Sequence, residues 1–127
     1  MQYKPWRMKI FIIDWTDEGE SLLTLYCRSF GHETEAEYRD GGEAYRKSGQ
    51  FLPDLILVNY GIKPSHGRIT VESIKKRRAT SSIPVYFLNG KEEDLQKIKS
   101  LGIAIDQEDL SRMLKKAKYG ERERGTI

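Results

Sequence analysis

Three short runs, Ile10–Ile13, Leu55–Val58 and Val85–Leu88, are apolar at every position rather than at alternate ones. A strand with one wet face alternates apolar and polar residues, so an unbroken apolar run of this length predicts a strand covered on both faces. Helical patterns separate the runs. Leu22, Leu23, Tyr26, Cys27 and Phe30 recur at spacings of three and four, predicting an amphipathic helix over 18–30 that ends where Gly31 can adopt a left-handed cap. Neighbouring strands joined through helices run parallel, because a parallel pair needs a crossover connection. The chain is therefore expected to be α/β, a doubly wound sheet with helices on both faces in three layers.

The remaining elements complete the alternation. Thr34–Tyr38 is a weak strand, and Asp40-Gly41-Gly42 is a turn before a short helix from Glu43 towards Gly49. Residues 61–67, with Pro64, read as a loop. Ile69–Arg78 reads as a helix with Ile69, Val71 and Ile74 inward. Glu92–Ser100 reads as a helix carrying Leu95 and Ile98, and Ile103–Ala104–Ile105 as a minimal fifth strand. Asp106 is placed to cap a last helix bearing Leu110, Met113 and Leu114, with Asp109 in a capping-box position. Residues 8–118 are expected to form the domain, with 1–7 a lead and 119–127 a flexible polar tail or the start of a linker.

Composition removes several function classes. Hydrophobic residues at 38% and charged residues at 32% suit a folded chain rather than a disordered one. No run approaches the roughly 18 apolar residues of a membrane span, and Met1–Arg7 has no apolar segment behind its charges. The single Cys27 excludes an internal disulfide, and the chain is expected to be cytoplasmic. The net charge is only +3, so the basic runs Lys75–Arg78 and Lys115–Lys118 read as helix ends, not a nucleic-acid interface.

A doubly wound sheet places its site outside the carboxyl ends of the strands, here Asp14-Trp15, Asn59-Tyr60, Asn89-Gly90 and Ile105-Asp106. No glycine-rich phosphate loop follows the first strand, which argues against dinucleotide or P-loop binding. His32 and His66 are too few and too separated for a metal cluster. Ser65 and His66 are sequence neighbours, a poor nucleophile–base pair, and Cys27 lies on an inward helix face. These residues carry no enzyme chemistry.

Several segments occur in a telling order. They are Met8–Asp14, Asp40-Gly41-Gly42-Glu43-Ala44-Tyr45, Pro53–Val58, Gly67 eight residues beyond Asn59, Ser82–Leu88, and Asp106-Gln107-Glu108-Asp109-Leu110. Together, from about Met8 to Ala117, they resemble the receiver domain of bacterial two-component response regulators. The resemblance implies a flavodoxin-like (CheY-like) five-stranded parallel sheet, here with its fifth strand shortened.

In that family two adjacent acids after the first strand hold magnesium, and an aspartate after the third strand accepts phosphate. A Thr or Ser after the fourth strand and a lysine after the fifth bind the phosphoryl group. At the matching positions this chain has Asp14 followed by Trp15, then Asn59, then Asn89, while the stretch 102–106 is too short for the lysine loop. Gly61 occupies the position that lends a backbone carbonyl to the metal. A neutral amide is a very poor nucleophile, so Asn59 is expected not to be phosphorylated. Asp14 is the only family ligand side chain left, so no cofactor is expected and magnesium binding is doubtful. Trp15 is expected to fill space vacated by ion and water, and Asn59 and Asn89 to bond with each other or with backbone.

The resulting expectation is a pseudo-receiver that signals through contact with a partner protein or output domain, including a homodimer through Glu92–Lys118. The alternative is a switchable domain whose altered pocket takes a small ligand or anion, or which is modified elsewhere.

Overall fold

Side chains alternate across a strand, and β1 (Lys9–Ile13) uses both sides: Phe11 and Ile13 enter one core, Ile10 and Ile12 the other. The structure is a computed structural model that describes residues 7–17 and 19–125, with side chains as far as Lys116. After β1 come α1 (Leu22–Ser29), β2 (Glu33–Glu37), α2 (Gly41–Phe51), β3 (Leu55–Asn59), α3 (Pro64–Lys76) and β4 (Val85–Leu88). A 3-10 turn at Glu92–Asp94 leads into α4 (Leu95–Ile98), followed by β5 (Ile103–Ile105) and α5 (Gln107–Gly125).

The five strands form one parallel sheet in the order β2-β1-β3-β4-β5. One face packs Phe11, Ile56, Val58 and Phe87 against Ala44 and Phe51 of α2, Val71 and Ile74 of α3, and Ile98 of α4. The other packs Ile12, Leu55 and Leu57 against Leu23 and Cys27 of α1 and Leu110 and Leu114 of α5. Two cores on one sheet make the expected three layers, and β5 has the expected three residues.

Local chemistry sets the boundaries. The Ser21 hydroxyl caps α1 by accepting from the Thr24 N–H at 3.1 Å, and Gly31 takes a φ of +89° just past the helix. Asp106 and Asp109 cap each other at the start of α5: the Asp109 N–H donates to Asp106 Oδ1 at 2.7 Å, and the Asp106 N–H to Asp109 Oδ2 at 3.1 Å. Buried His32 fastens α5 to the sheet. Its Nδ1 accepts from the Met8 N–H at 3.1 Å, which leaves the proton on Nε2 to donate to the Leu114 carbonyl at 3.1 Å.

Four expectations change. α1 begins at Leu22, not at residue 18, which itself lies outside the described residues; capping at Ser21 leaves Leu22 85% exposed rather than inward. The 61–67 loop closes early because Pro64, already fixed at a helical φ, starts α3, and Ile69 is 59% exposed on its outer face. The helix expected over 92–100 shrinks to a 3-10 turn and four residues, burying Ile98 but leaving Leu95 39% exposed. The backbone of α5 stays helical across 119–125, where Glu and Arg are good helix formers; residues 1–6 and 126–127 lie outside the described residues.

Candidate functional site

All five strands end at one edge of the sheet. The chain leaves β1 towards β2 on one side and crosses back to β3 on the other, which opens a crevice above the ends of β1 and β3. Asp14 follows β1, Asn59 closes β3 and Asn89 follows β4, so three of the sequence-derived site residues meet there.

Their side chains form a directed relay. The Asn59 Nδ2 donates to Asp14 Oδ1 at 3.1 Å, and the Asn89 Nδ2 donates to Asn59 Oδ1 at 3.1 Å. A carboxylate oxygen only accepts, so Asp14 dictates that the Asn59 amide turns its NH2 inward, leaving its carbonyl for Asn89. Asn89 reaches back because its φ is +66°, a left-handed turn that Asn tolerates better than most residues. The mutual bond between Asn59 and Asn89 is as expected. Gly61 lies against this turn: a Cβ on it would stand 3.2 Å from both the Cβ and the carbonyl oxygen of Asn89.

Trp15 departs from expectation. Rather than filling the crevice, its ring joins the core on the α2–α3 side of the sheet, 4% exposed, with its centroid 4.2 Å from that of His66. Gly67, in the first turns of α3, makes room for it; a Cβ there would meet Val58 Cγ1 at 3.2 Å and Trp15 Nε1 at 3.7 Å. The Trp15 Nε1–H is buried with no hydrogen-bond partner. A large aromatic ring gains more from the core than from a crevice lined with amides.

Asp14 is only 5% exposed, and no basic side chain among the described residues pairs with it. Its crevice continues into a groove of about 890 Å³ whose far wall is apolar, made by Leu22 and Leu25 of α1 and Ile62 of the β3–α3 loop. Sequence reading missed this wall because it placed Leu22 inward. The available signal was a surplus of leucines, since Leu22, Leu23 and Leu25 cannot all share one face of a helix.

Burial pushes the Cys27 thiol up to about 12, so it stays protonated inside the core. Among the described residues no group of three or more His, Cys, Asp or Glu side chains is placed to hold a metal ion, and no helix is long and apolar enough to cross a membrane.

No protein-family model matches the chain, and no curated protein matches it in sequence. Solved structures do match it. The N-terminal receiver domain of a response regulator from Methanoculleus marisnigri is similar at 23% identity and a TM-score of 0.64, covering 89% of this chain and 94% of that one. The Vibrio cholerae chemotaxis protein CheY4 is similar at 18% identity and a TM-score of 0.71, covering 87% and 98%. The receiver domain of the Pseudomonas aeruginosa sensor histidine kinase PA1611, with magnesium coordinated in its active-site cleft, is similar at 18% identity and a TM-score of 0.69, covering 88% and 98%. This is the receiver-domain fold.

The crevice brings together Asp14, Asn59 and Asn89, the positions that the sequence resemblance matches to the family's magnesium and phosphate residues. The residues present do not fit the metal. Magnesium wants several hard oxygens in an octahedral shell, whereas Trp15 points into the core and the Asn59 carbonyl already accepts from Asn89. Among the described residues at the matched positions, Asp14 supplies the one carboxylate.

Proposed function

We propose that this chain is a receiver-fold signalling domain that does not take phosphate at Asn59 and acts through protein–protein contacts. The relay from Asn89 through Asn59 to Asp14 carries this reading: the acceptor position is an amide, held by both its ends. An amide cannot supply the anionic oxygen that attacks phosphorus, and no lysine or arginine is among the residues lining the crevice to stabilise phosphoryl charge. Incubation with acetyl phosphate and magnesium, read by intact mass, is expected to leave the protein unmodified. A gain of one phosphoryl group that disappears in Asn59→Ala would overturn the reading.

The two edges of the sheet favour the contact surface. β2 carries exposed Glu33 and Glu35, charges of the kind that discourage strand-to-strand pairing. β5 carries none: Ile103 is 58% exposed, Ala104 is exposed, and the adjoining hollow of about 470 Å³ is flanked by Asp109, Arg112 and Lys116. Four-residue α4 is too short to shield this edge. Sedimentation is expected to show a concentration-dependent dimer that Ile103→Lys weakens by about tenfold or more, roughly 1.4 kcal/mol. A monomer at every concentration would remove homodimerisation from the proposal.

A further inference from the structure

The Asp14 carboxylate is more than nine-tenths buried and takes a side-chain hydrogen bond from the Asn59 amide, with no counter-charge beside it among the described residues. Buried carboxylates are ordinarily paired, because removing an unpaired charge from water is costly. This one lines a groove of about 890 Å³ in which Asp14, Asn59 and Asn89 form one end and Leu22, Leu25 and Ile62 form a wall. Those three apolar side chains are 85%, 44% and 42% exposed, so the wall faces outward from the protein's own cores.

Three ligand classes meet this groove differently. An anion is repelled by Asp14, since Glu20 is already paired with Arg28, and no lysine or arginine is among the residues lining the groove to receive it. A divalent metal finds Asp14 and a Glu20 already paired with Arg28, and no group of three or more His, Cys, Asp or Glu among the described residues. An organic ammonium satisfies both ends: its N–H groups reach the Asp14 carboxylate while an alkyl body covers the leucines. Charge-assisted hydrogen bonds of this kind are the stronger ones, and desolvation by the apolar wall strengthens them further.

We infer that the groove binds a primary alkylammonium group with an apolar body, supplied by a free amine or by a lysine side chain of a partner protein. The lysine case rests on the protein-contact reading above. The cation then arrives in trans, at an edge where this chain's short 102–106 segment supplies none of its own.

Titration of the full chain with n-hexylammonium chloride, followed by two-dimensional 15N NMR, tests this. Saturable shifts are expected at Asp14, Leu22, Leu25 and the side-chain amides of Asn59 and Asn89, with n-hexanol and hexanoate producing no such response. Asp14→Asn is expected to weaken binding by about tenfold or more, the loss of one charged hydrogen bond. Leu22→Ser, on an exposed position that does not bear on folding, is expected to weaken it severalfold. Equal binding of hexanol, or unchanged binding in both variants, overturns the inference. A capped Leu-Lys-Leu peptide that saturates at lower concentration than hexylammonium assigns the cation to a protein, and the reverse order assigns it to a small amine. Phosphorylation at Asn59 in the mass measurement would sink the protein-contact reading without altering this titration.

Discussion

Replacing Trp15 by alanine is expected to destabilise the domain by about 3–5 kcal/mol, the cost of truncating a buried aromatic side chain. The ring is 4% exposed, sits in the core with Val58 and Val71, and lies tilted against His66 with ring centroids 4.2 Å apart. Such a loss is a large part of the roughly 5–15 kcal/mol that hold a typical domain together. Chemical denaturation followed by far-ultraviolet circular dichroism measures it; a change below about 1 kcal/mol, the scale of ordinary surface substitutions, would show that the ring is not part of the core. Trp15→Phe isolates the indole nitrogen. It keeps most of the ring and removes the buried, unpartnered Nε1–H, whose desolvation costs about 1–3 kcal/mol, so it is expected to cost much less than alanine. Trp15→Asp restores the acid pair that the resemblance calls for but empties the same core site. Recovering a metal site by that single change is therefore expected to fail through unfolding, which separates stability from chemistry at this position.

Gly102→Ala is the second large effect, expected to cost about 3 kcal/mol, the upper part of the range for overpacking. A Cβ on Gly102 would stand 2.3 Å from the Val85 carbonyl oxygen, 3.0 Å from the Val85 carbonyl carbon and 3.0 Å from Phe87 Cε2. Two of those atoms are backbone of β4, the strand that β5 pairs with, and they cannot rotate away. Gly102 does not have a positive φ, so the cost is purely steric. Its N–H also donates to the Ile98 carbonyl at 3.0 Å, closing the short α4. Relief requires β5 to move off the sheet. Denaturation midpoints should fall sharply, and any dimer formed through Ile103 should be lost with them. An unchanged midpoint would mean that β5 is not held against β4 as described.

Much of this architecture is legible in the chain. Ile10–Ile13 and Leu55–Val58 are apolar on both faces, which only a sheet covered on both sides can use, and three to five residues suffice for a strand whose neighbours supply its hydrogen bonds. Asp106 and Asp109 announce the start of α5 because a capping pair works locally, through backbone groups three residues away. Asn59 and Asn89 come together because one closes β3 and the other follows β4, and parallel strands end together. Where local patterns compete, the sequence is ambiguous. Ile69 has the spacing of an inward residue, but the phase of α3 is set by Pro64 and by the packing of Gly67 under Trp15. Leu22 fits the amphipathic stripe of α1 as well as Leu23 does, and the cap at Ser21 together with the sheet beneath decides between them.

The sequence by itself determined the three-layer parallel sheet and the neutral amide at position 59, since both follow from residue types and their order. Only the tertiary structure decided that Trp15 enters the core instead of the crevice, that Asp14 is buried with no cation beside it among the described residues, and that the leucines of α1 wall a groove beside it. Those facts depend on which surfaces meet across elements far apart in the chain, where burial and hydrogen bonding are settled by packing rather than by local spacing.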